Sequence, residues 1–131
     1  MFSHIMIGTN NIEKSKAFYE KVLGVVGGGA SIENIAKTGH KRIMFSHDGG
    51  VLMLTQPIND EPATCANGMT IGLRCDSPEQ VQQLHDVAIE AGATSVEDAP
   101  GLREGGALGP LHLSYFLDLD GHKICGIHRP K

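Results

Sequence analysis

The side chains that could do acid-base or metal chemistry include seven histidines and three cysteines, which are spread along the whole chain. No two histidines form an HxH or HExxH arrangement, the spacings that bring two imidazoles to one metal ion. The cysteines, Cys65, Cys75 and Cys125, are odd in number and lack CxxC spacing, so they predict neither a disulfide framework nor a zinc knuckle. We therefore expect reduced thiols and no local metal motif.

A glycine-rich segment, residues 98–110, carries the cation Arg103. Glycine at this density over a loop-length segment predicts a mobile flap more than a sheet element. A guanidinium on such a flap could close over a carboxylate or phosphate. The alternative is that Arg103 is a solvated loop charge.

The elements that must position these residues occur twice. In the first copy, a β-type run at His4–Ile7 precedes a helix that Asn10 or Asn11 can cap and Gly24 ends. In the second copy, the run Thr70–Leu73 precedes a second helix. A repeat of this size predicts two matching modules with the functional site in a cleft between them.

The second helix has the clearer boundaries. Ser77 supplies a capping hydroxyl, Pro78 occupies the first helical position, Gln80 can complete a capping box and Gly92 ends the helix. Further strands are predicted after each helix. They are an irregular strand at 25–30, a hairpin of 41–46 and 51–55 turned at 48–50, a strand at 94–97, and a hairpin of 111–117 and 123–127 turned at 118–121.

Each copy thus reads β-α-β-β-β, and we predict an α+β fold. Two βαβββ modules, approximately 1–57 and 68–131, would pair into an open, cupped mixed sheet with helices on the outside. Pro57–Gly68 is the linker between them. The length of 131 residues, with 40% hydrophobic residues, suits a single domain over 1–131.

Charge and hydropathy exclude two classes of partner. The net charge is -4 without a run of like charges, so we expect no binding to nucleic acid. The apolar stretch Val51–Leu54 is far too short to span a membrane, and the first residues do not resemble a signal peptide. We therefore expect a cytoplasmic protein without a membrane partner.

The helix sequence Phe18-Tyr19-Glu20-Lys21-Val22-Leu23-Gly24 and the late sequence Asp118-Leu119-Asp120-Gly121 are similar to motifs of the vicinal oxygen chelate superfamily. That group includes glyoxalase I, extradiol dioxygenases, fosfomycin-resistance enzymes and bleomycin-binding proteins. The resemblance covers nearly the whole chain and implies the paired fold, a small-molecule ligand and a homodimer. It is less specific for function, because such members share architecture while differing in chemistry.

In metal-dependent members, the resemblance implies four ligand positions, which fall here on His4, Met53, Thr70 and Cys125. Only His4 is the expected residue type. A thioether does not suit the hard divalent ions of such a site, and a threonine hydroxyl is a weak neutral ligand. We therefore predict no cofactor, because three of the four ligand positions carry residues that do not suit the metal. The alternative is a divalent metal.

Other readings of these positions stay open. Met53 could be a packing residue or a soft wall of a small-molecule pocket. Cys125 could be a nucleophile only with a stabilised thiolate. A relocated metal site could use His4, His112 and Glu104. Four other histidines are expected at the surface or in solvated turns: His85 in the second helix, and His40, His47 and His122 near turns.

Strand alternation indicates what else would face the cleft. Arg74 and Lys123 would place cations near its ends, and His112 and Tyr115 would enter from a neighbouring strand. Together with Met53, Thr70, Arg103 and Cys125, these are the predicted ligand-binding residues.

Two functions compete. The first is a binding protein of the bleomycin-resistance kind, which sequesters a small apolar or anionic ligand. The second is a lyase, isomerase or dioxygenase-type enzyme that uses a reshaped metal site or His4 as its acid and base. The altered ligand positions favour binding.

Overall fold

The computed structural model describes residues 1–130 and confirms the predicted α+β fold class. The first module contains β1 (Ile5–Gly8), α1 (Ile12–Val25), β2 (Ser31–Ile35), β3 (Lys41–His47) and β4 (Gly50–Thr55). The second contains β5 (Ile71–Arg74), α2 (Pro78–Glu90), β6 (Thr94–Ser95), β7 (Gly101–Arg103), β8 (Leu111–Leu117) and β9 (Lys123–His128), with a single 3₁₀ turn at Gly106–Leu108.

Both helices begin where their caps predict. The side chain of Asn11 accepts a hydrogen bond from the Lys14 amide, and that of Ser77 accepts one from the Gln80 amide. The Gln80 side chain accepts from the amide of Asp76 and donates to the Val25 carbonyl of the first module, so it serves a wider role than a capping box.

Each module forms an open mixed sheet. The first sheet has the order β1-β4-β3-β2, and the second has the order β5-β9-β8-β6, with β7 also paired to β8. In both sheets the first strand runs parallel to the last strand of its own module, and the hairpins are antiparallel. The two sheets are thus built alike, as the repeat predicts.

The structure corrects two strand predictions. Residues 26–30 are not a strand, and β2 lies at Ser31–Ile35, where four of its five residues are exposed and no apolar alternation marks it. The glycine-rich segment contains β7, which pairs with β8 through Gly101, Leu102 and Arg103. The sequence predicts a mobile flap for this segment, but part of it belongs to the sheet.

One hydrophobic core joins the modules. The two helices contact each other. The ring of Phe18 on α1 lies 6.3 Å from that of Phe116 on β8, and the ring of Tyr19 lies 6.4 Å from that of Phe45 on β3. Since α1 packs on one face of the first sheet and α2 on one face of the second, the opposite face of each sheet points away from the core. We call these the open faces.

Two histidines expected near solvent are buried instead. His85 on α2 is 9% exposed, and its Nε2 lies 2.8 Å from Ser95 Oγ. His122 is 7% exposed, and its Nε2 donates to the carbonyl of Gly8 in the first module at 2.7 Å. The ring of His85 thus contacts the strand that follows its own helix, whereas the ring of His122 contacts the first module. Neither helix among the described residues has the length and apolar character needed to cross a membrane.

Candidate ligand-binding surfaces

The open face of the second sheet brings together four of the predicted site residues. Tyr115 on β8 lies directly opposite Cys125 on β9, and Lys123 is two residues from Cys125 on the same face. The ammonium of Lys123 lies 5.0 Å from the centre of the Tyr115 ring. Arg103 on β7 pairs with Leu111 of β8, which places it on this face as well. We call Arg103, Tyr115, Lys123 and Cys125 the cationic cluster.

Burial and charge keep the thiol and the phenol of this cluster protonated. Burial raises the pKa of Cys125, and the charge of Glu97 raises it further, while Tyr115, Lys123 and Arg103 oppose the shift. Burial also raises the pKa of Tyr115, with Cys125 adding to the effect. A protonated thiol is a poor nucleophile, so this environment favours a hydrogen-bonding wall over covalent catalysis at Cys125.

The cations of the cluster are held in place. The guanidinium of Arg103 donates to the carbonyls of Asp98 at 3.1 Å and Ala99 at 2.9 Å, which ties the preceding loop to β7. Lys123 forms an ion pair with Glu97. The two cations and one carboxylate leave a positive balance over this part of the open face, which suits an anionic group.

The open face of the first sheet is different in character. An apolar row crosses all four of its strands in register, through Met6, Met53, Met44 and Ile32. Met53 is 8% exposed and lies outside the main core, whereas Ile32 is 64% exposed. Flexible thioethers form an adaptable surface that fits ligands of several shapes. The structure therefore places Met53 in this apolar row on the open face of the first sheet.

Beside this row lies Arg42, which sequence reasoning missed. It pairs with Thr55 and Asn34, and its Nε is buried without a hydrogen-bond partner in the described part of the chain. Alternation along β3 could have found it, because Arg42 and Met44 share a face. Glu97 was also missed, and no local pattern in the sequence links it to Lys123.

The other predicted residues do not join the cationic cluster. His4 precedes β1, is exposed and contacts the Ser3 hydroxyl at 3.0 Å. Thr70 precedes β5 and is exposed. His112 lies on the helix-covered side of β8, opposite His128. Arg74 forms an ion pair with Asp48 of the first module at 2.7 Å.

These positions do not fit the divalent metal that the resemblance implies. Met53 and Cys125 lie on the open faces of different sheets, while His4 and Thr70 lie outside the strands. Within residues 1–130, no group of three or more His, Cys, Asp or Glu side chains is arranged to hold a metal ion, and the proposed set of His4, His112 and Glu104 is not such a group.

Comparison with known proteins decides the family. A sequence model described as the Glyoxalase/Bleomycin resistance protein/Dioxygenase superfamily matches residues 1–125. The chain belongs to this superfamily. A glyoxalase/bleomycin resistance protein from Albidiferax ferrireducens T118 has a similar crystal structure, with 44% identity and a TM-score of 0.90 over 98% of this chain and 99% of that one.

More distant members of the superfamily share the fold. A glyoxalase-related enzyme from Fulvimarina pelagi is 21% identical with a TM-score of 0.73, over 99% of this chain and 88% of its own. A fosfomycin resistance protein from Mesorhizobium loti is 15% identical with a TM-score of 0.64, over 96% of this chain and 89% of its own. No curated protein sequence matches this chain. Superfamily membership is thus established, and it leaves the ligand open.

Proposed function

We propose that this superfamily member binds a small anionic molecule with an apolar or aromatic body on the open face of its second sheet. The observation that carries the proposal is the cationic cluster, in which Arg103 and Lys123 flank a phenol and a buried thiol. A carboxylate or phosphate there would gain charge-assisted hydrogen bonds from both cations.

The neighbouring residues suit the body of such a ligand. Leu113, Leu117 and Ile127 share the open face with Tyr115 and are half-buried. Their side chains offer apolar contact beside the cations, and the Tyr115 ring offers a surface for stacking. An apolar floor with a few convergent polar groups is the usual composition of a small-molecule site.

A second copy of the chain would complete the site, and this homodimer is part of the proposal. The open face of the first sheet carries the apolar row and exposes Met6 and Ile32, whereas that of the second carries the cationic cluster. In a symmetric dimer, the apolar row of one chain, formed by Met6, Met53, Met44 and Ile32, would cover the cationic cluster of the other. Each site would then have one largely apolar wall and one polar wall.

Binding of naphthylacetate, measured by calorimetry, tests the ligand proposal. We expect Lys123→Gln and Arg103→Gln each to weaken binding about fivefold or more, because each removes a charge-assisted hydrogen bond. Lys21→Gln, at an exposed site on α1, is the matched control and should leave affinity unchanged. Equal affinities for all four proteins would overturn the proposal.

Sedimentation tests the dimer separately. Ile32→Glu should shift the protein towards monomer, because a charge would enter the apolar wall. Ile58→Glu is the control, since Ile58 is 58% exposed but lies outside both sheets. If the wild-type protein stays monomeric at high concentration, the proposal that a second copy completes the site is wrong.

The competing proposal is a lyase, isomerase or dioxygenase-type enzyme. Two observations favour this enzyme proposal: superfamily membership and the exposed side chain of His4. A hemithioacetal isomerisation assay, with and without added divalent metal, compares wild type with His4→Ala. Turnover that depends on His4 would favour the enzyme over the binding protein, whereas we expect no turnover from either.

A further inference from the structure

A cavity of about 510 Å³ lies between the first module and β5, and none of the four residues of the cationic cluster lines it. Its floor is apolar and belongs to the helix-covered side of the core, with Ile5, Leu23, Phe45, Leu52 and Ile71 among its lining residues. This volume lies within the range of small-molecule sites, which is roughly 300 to 1,000 Å³. The cavity is therefore large enough for a ligand of two fused rings.

The mouth of the cavity is charged and is built by both modules. The β3–β4 hairpin contributes His47 and Asp48, and the end of β5 contributes Arg74 and Asp76. Arg74 donates to Oδ2 of Asp48 at 2.7 Å, which bridges the modules across the opening. Both side chains are mostly exposed, at 76% and 66%, so this ion pair adds little stability and opens at low cost.

The backbone fixes the carboxylate at this mouth. Asp48 has a φ of 51° and Gly49 a φ of 83°, the two positive values of a type I′ hairpin turn. Asparagine is favoured in this conformation, so the charge of Asp48 can be removed there without disturbing the turn.

The glycine run 27–29, which no part of the proposed function uses, shapes the same wall. Gly28 lines the cavity, and a Cβ on it would lie 2.8 Å from the Cβ of His47. The hairpin therefore closes against the end of α1 only because this position has no side chain. The glycine run lies within the segment predicted as an irregular strand, but in the structure it permits the close contact between Gly28 and His47 at the cavity.

Charge complementarity indicates the head group of the ligand. With Asp48 and Asp76 against Arg74, the mouth carries one excess negative charge when His47 is neutral. Arg74 donates to Oδ2 of Asp48, which leaves Oδ1 and the Asp76 carboxylate as possible acceptors for a cation at the mouth. We propose that this cavity binds a small apolar molecule with one protonated amine, with its apolar body inside and its ammonium between Asp48 and Asp76. The cavity site shares no residue with the anion site on the open face.

Three probes with one apolar body and different head groups test this inference by calorimetry: naphthylmethylamine, naphthylmethanol and naphthylacetate. We expect the amine to occupy a site that Asp48→Asn weakens about tenfold, the size of one charged hydrogen bond. Asp60→Asn is the matched control, because Asp60 also has a positive φ, 61°, and lies outside the cavity lining. It should leave the amine's affinity unchanged.

A second variant tests the location. Leu73 lines the cavity from β5, and Leu73→Phe should weaken binding of both the amine and the alcohol by filling space. Lys123→Gln should leave amine binding intact, which separates this site from the proposed anion site. Failure of the amine to bind, amine binding insensitive to both Asp48→Asn and Leu73→Phe, or a preference of this cavity for naphthylacetate would overturn the inference.

Discussion

The hydroxyl of Tyr19 donates a hydrogen bond to Oδ2 of Asp118 at 2.5 Å, with both side chains buried. This contact joins α1 of the first module to the β8–β9 turn of the second. The other oxygen of Asp118 accepts from the amides of Asp120 and His122, so the carboxylate also organises its own turn. The two modules are thus held in one arrangement by a buried polar contact as well as by apolar packing.

Tyr19→Phe is expected to lower the free energy of unfolding by about 1 to 3 kcal/mol, because it leaves a buried carboxylate oxygen without its donor. Chemical denaturation monitored by circular dichroism measures the change. Tyr115→Phe, at the half-buried tyrosine of the open face, is the control and should cost less. Equal losses in the two variants would contradict the importance of the Tyr19 hydrogen bond.

The three cysteines should differ in reactivity. Cys65 is exposed, whereas Cys75 and Cys125 are buried and have raised pKa values, mainly through burial. In the native protein we expect a single fast-reacting thiol with a disulfide reagent at neutral pH, and the other two should react only on unfolding. Cys65→Ser should remove the fast phase. A fast phase that survives in this variant would mean that Cys75 or Cys125 is accessible and ionised.

Alkaline pH should destabilise the fold through Cys75. Burial raises the pKa of this thiol from 9.0 to about 11. Between these values the unfolded chain loses a proton that the folded chain keeps, so the stabilising contribution is complete below pH 9.0 and is lost as the pH rises through about 11. Cys75→Ala should make the free energy of unfolding fall less steeply over this window, and Cys65→Ala should leave the slope unchanged. Identical slopes for Cys75→Ala and wild type would contradict the assignment.

Local chemistry made the helices and hairpins predictable. Asn11 and Ser77 cap their helices through their own side chains, and the turn at 48–50 needs only its glycines and an aspartate. The strand β2 escaped prediction because most of its side chains are exposed, so no alternation of apolar residues marks it.

The candidate sites were predictable only in part, because their residues are distant in sequence and come together only in the folded protein. Tyr115, Lys123 and Cys125 share a face because adjacent strands alternate in register, which sequence can anticipate. The cavity between the modules depends on how α1 packs against the second module. The ion pair between Asp48 and Arg74 depends on the same packing. No periodicity within one element encodes such packing.

Substitution by alanine is expected to have opposite effects at two glycines, one near the end of α1 and one just after it. A Cβ on Gly29 would lie 2.4 Å from the carbonyl oxygen of Glu20 and 2.9 Å from the Cα of Gly24, so Gly29→Ala must displace helix backbone. We expect it to lower the free energy of unfolding by about 1 to 3 kcal/mol. Gly24 lies within α1, and a Cβ there meets nothing within 4 Å, so Gly24→Ala should raise stability by roughly 0.5 to 1 kcal/mol through helix propensity. Thermal unfolding of the two variants beside wild type measures both changes, and a neutral Gly29→Ala would show that the contact between the glycine run and α1 is looser than the structure describes.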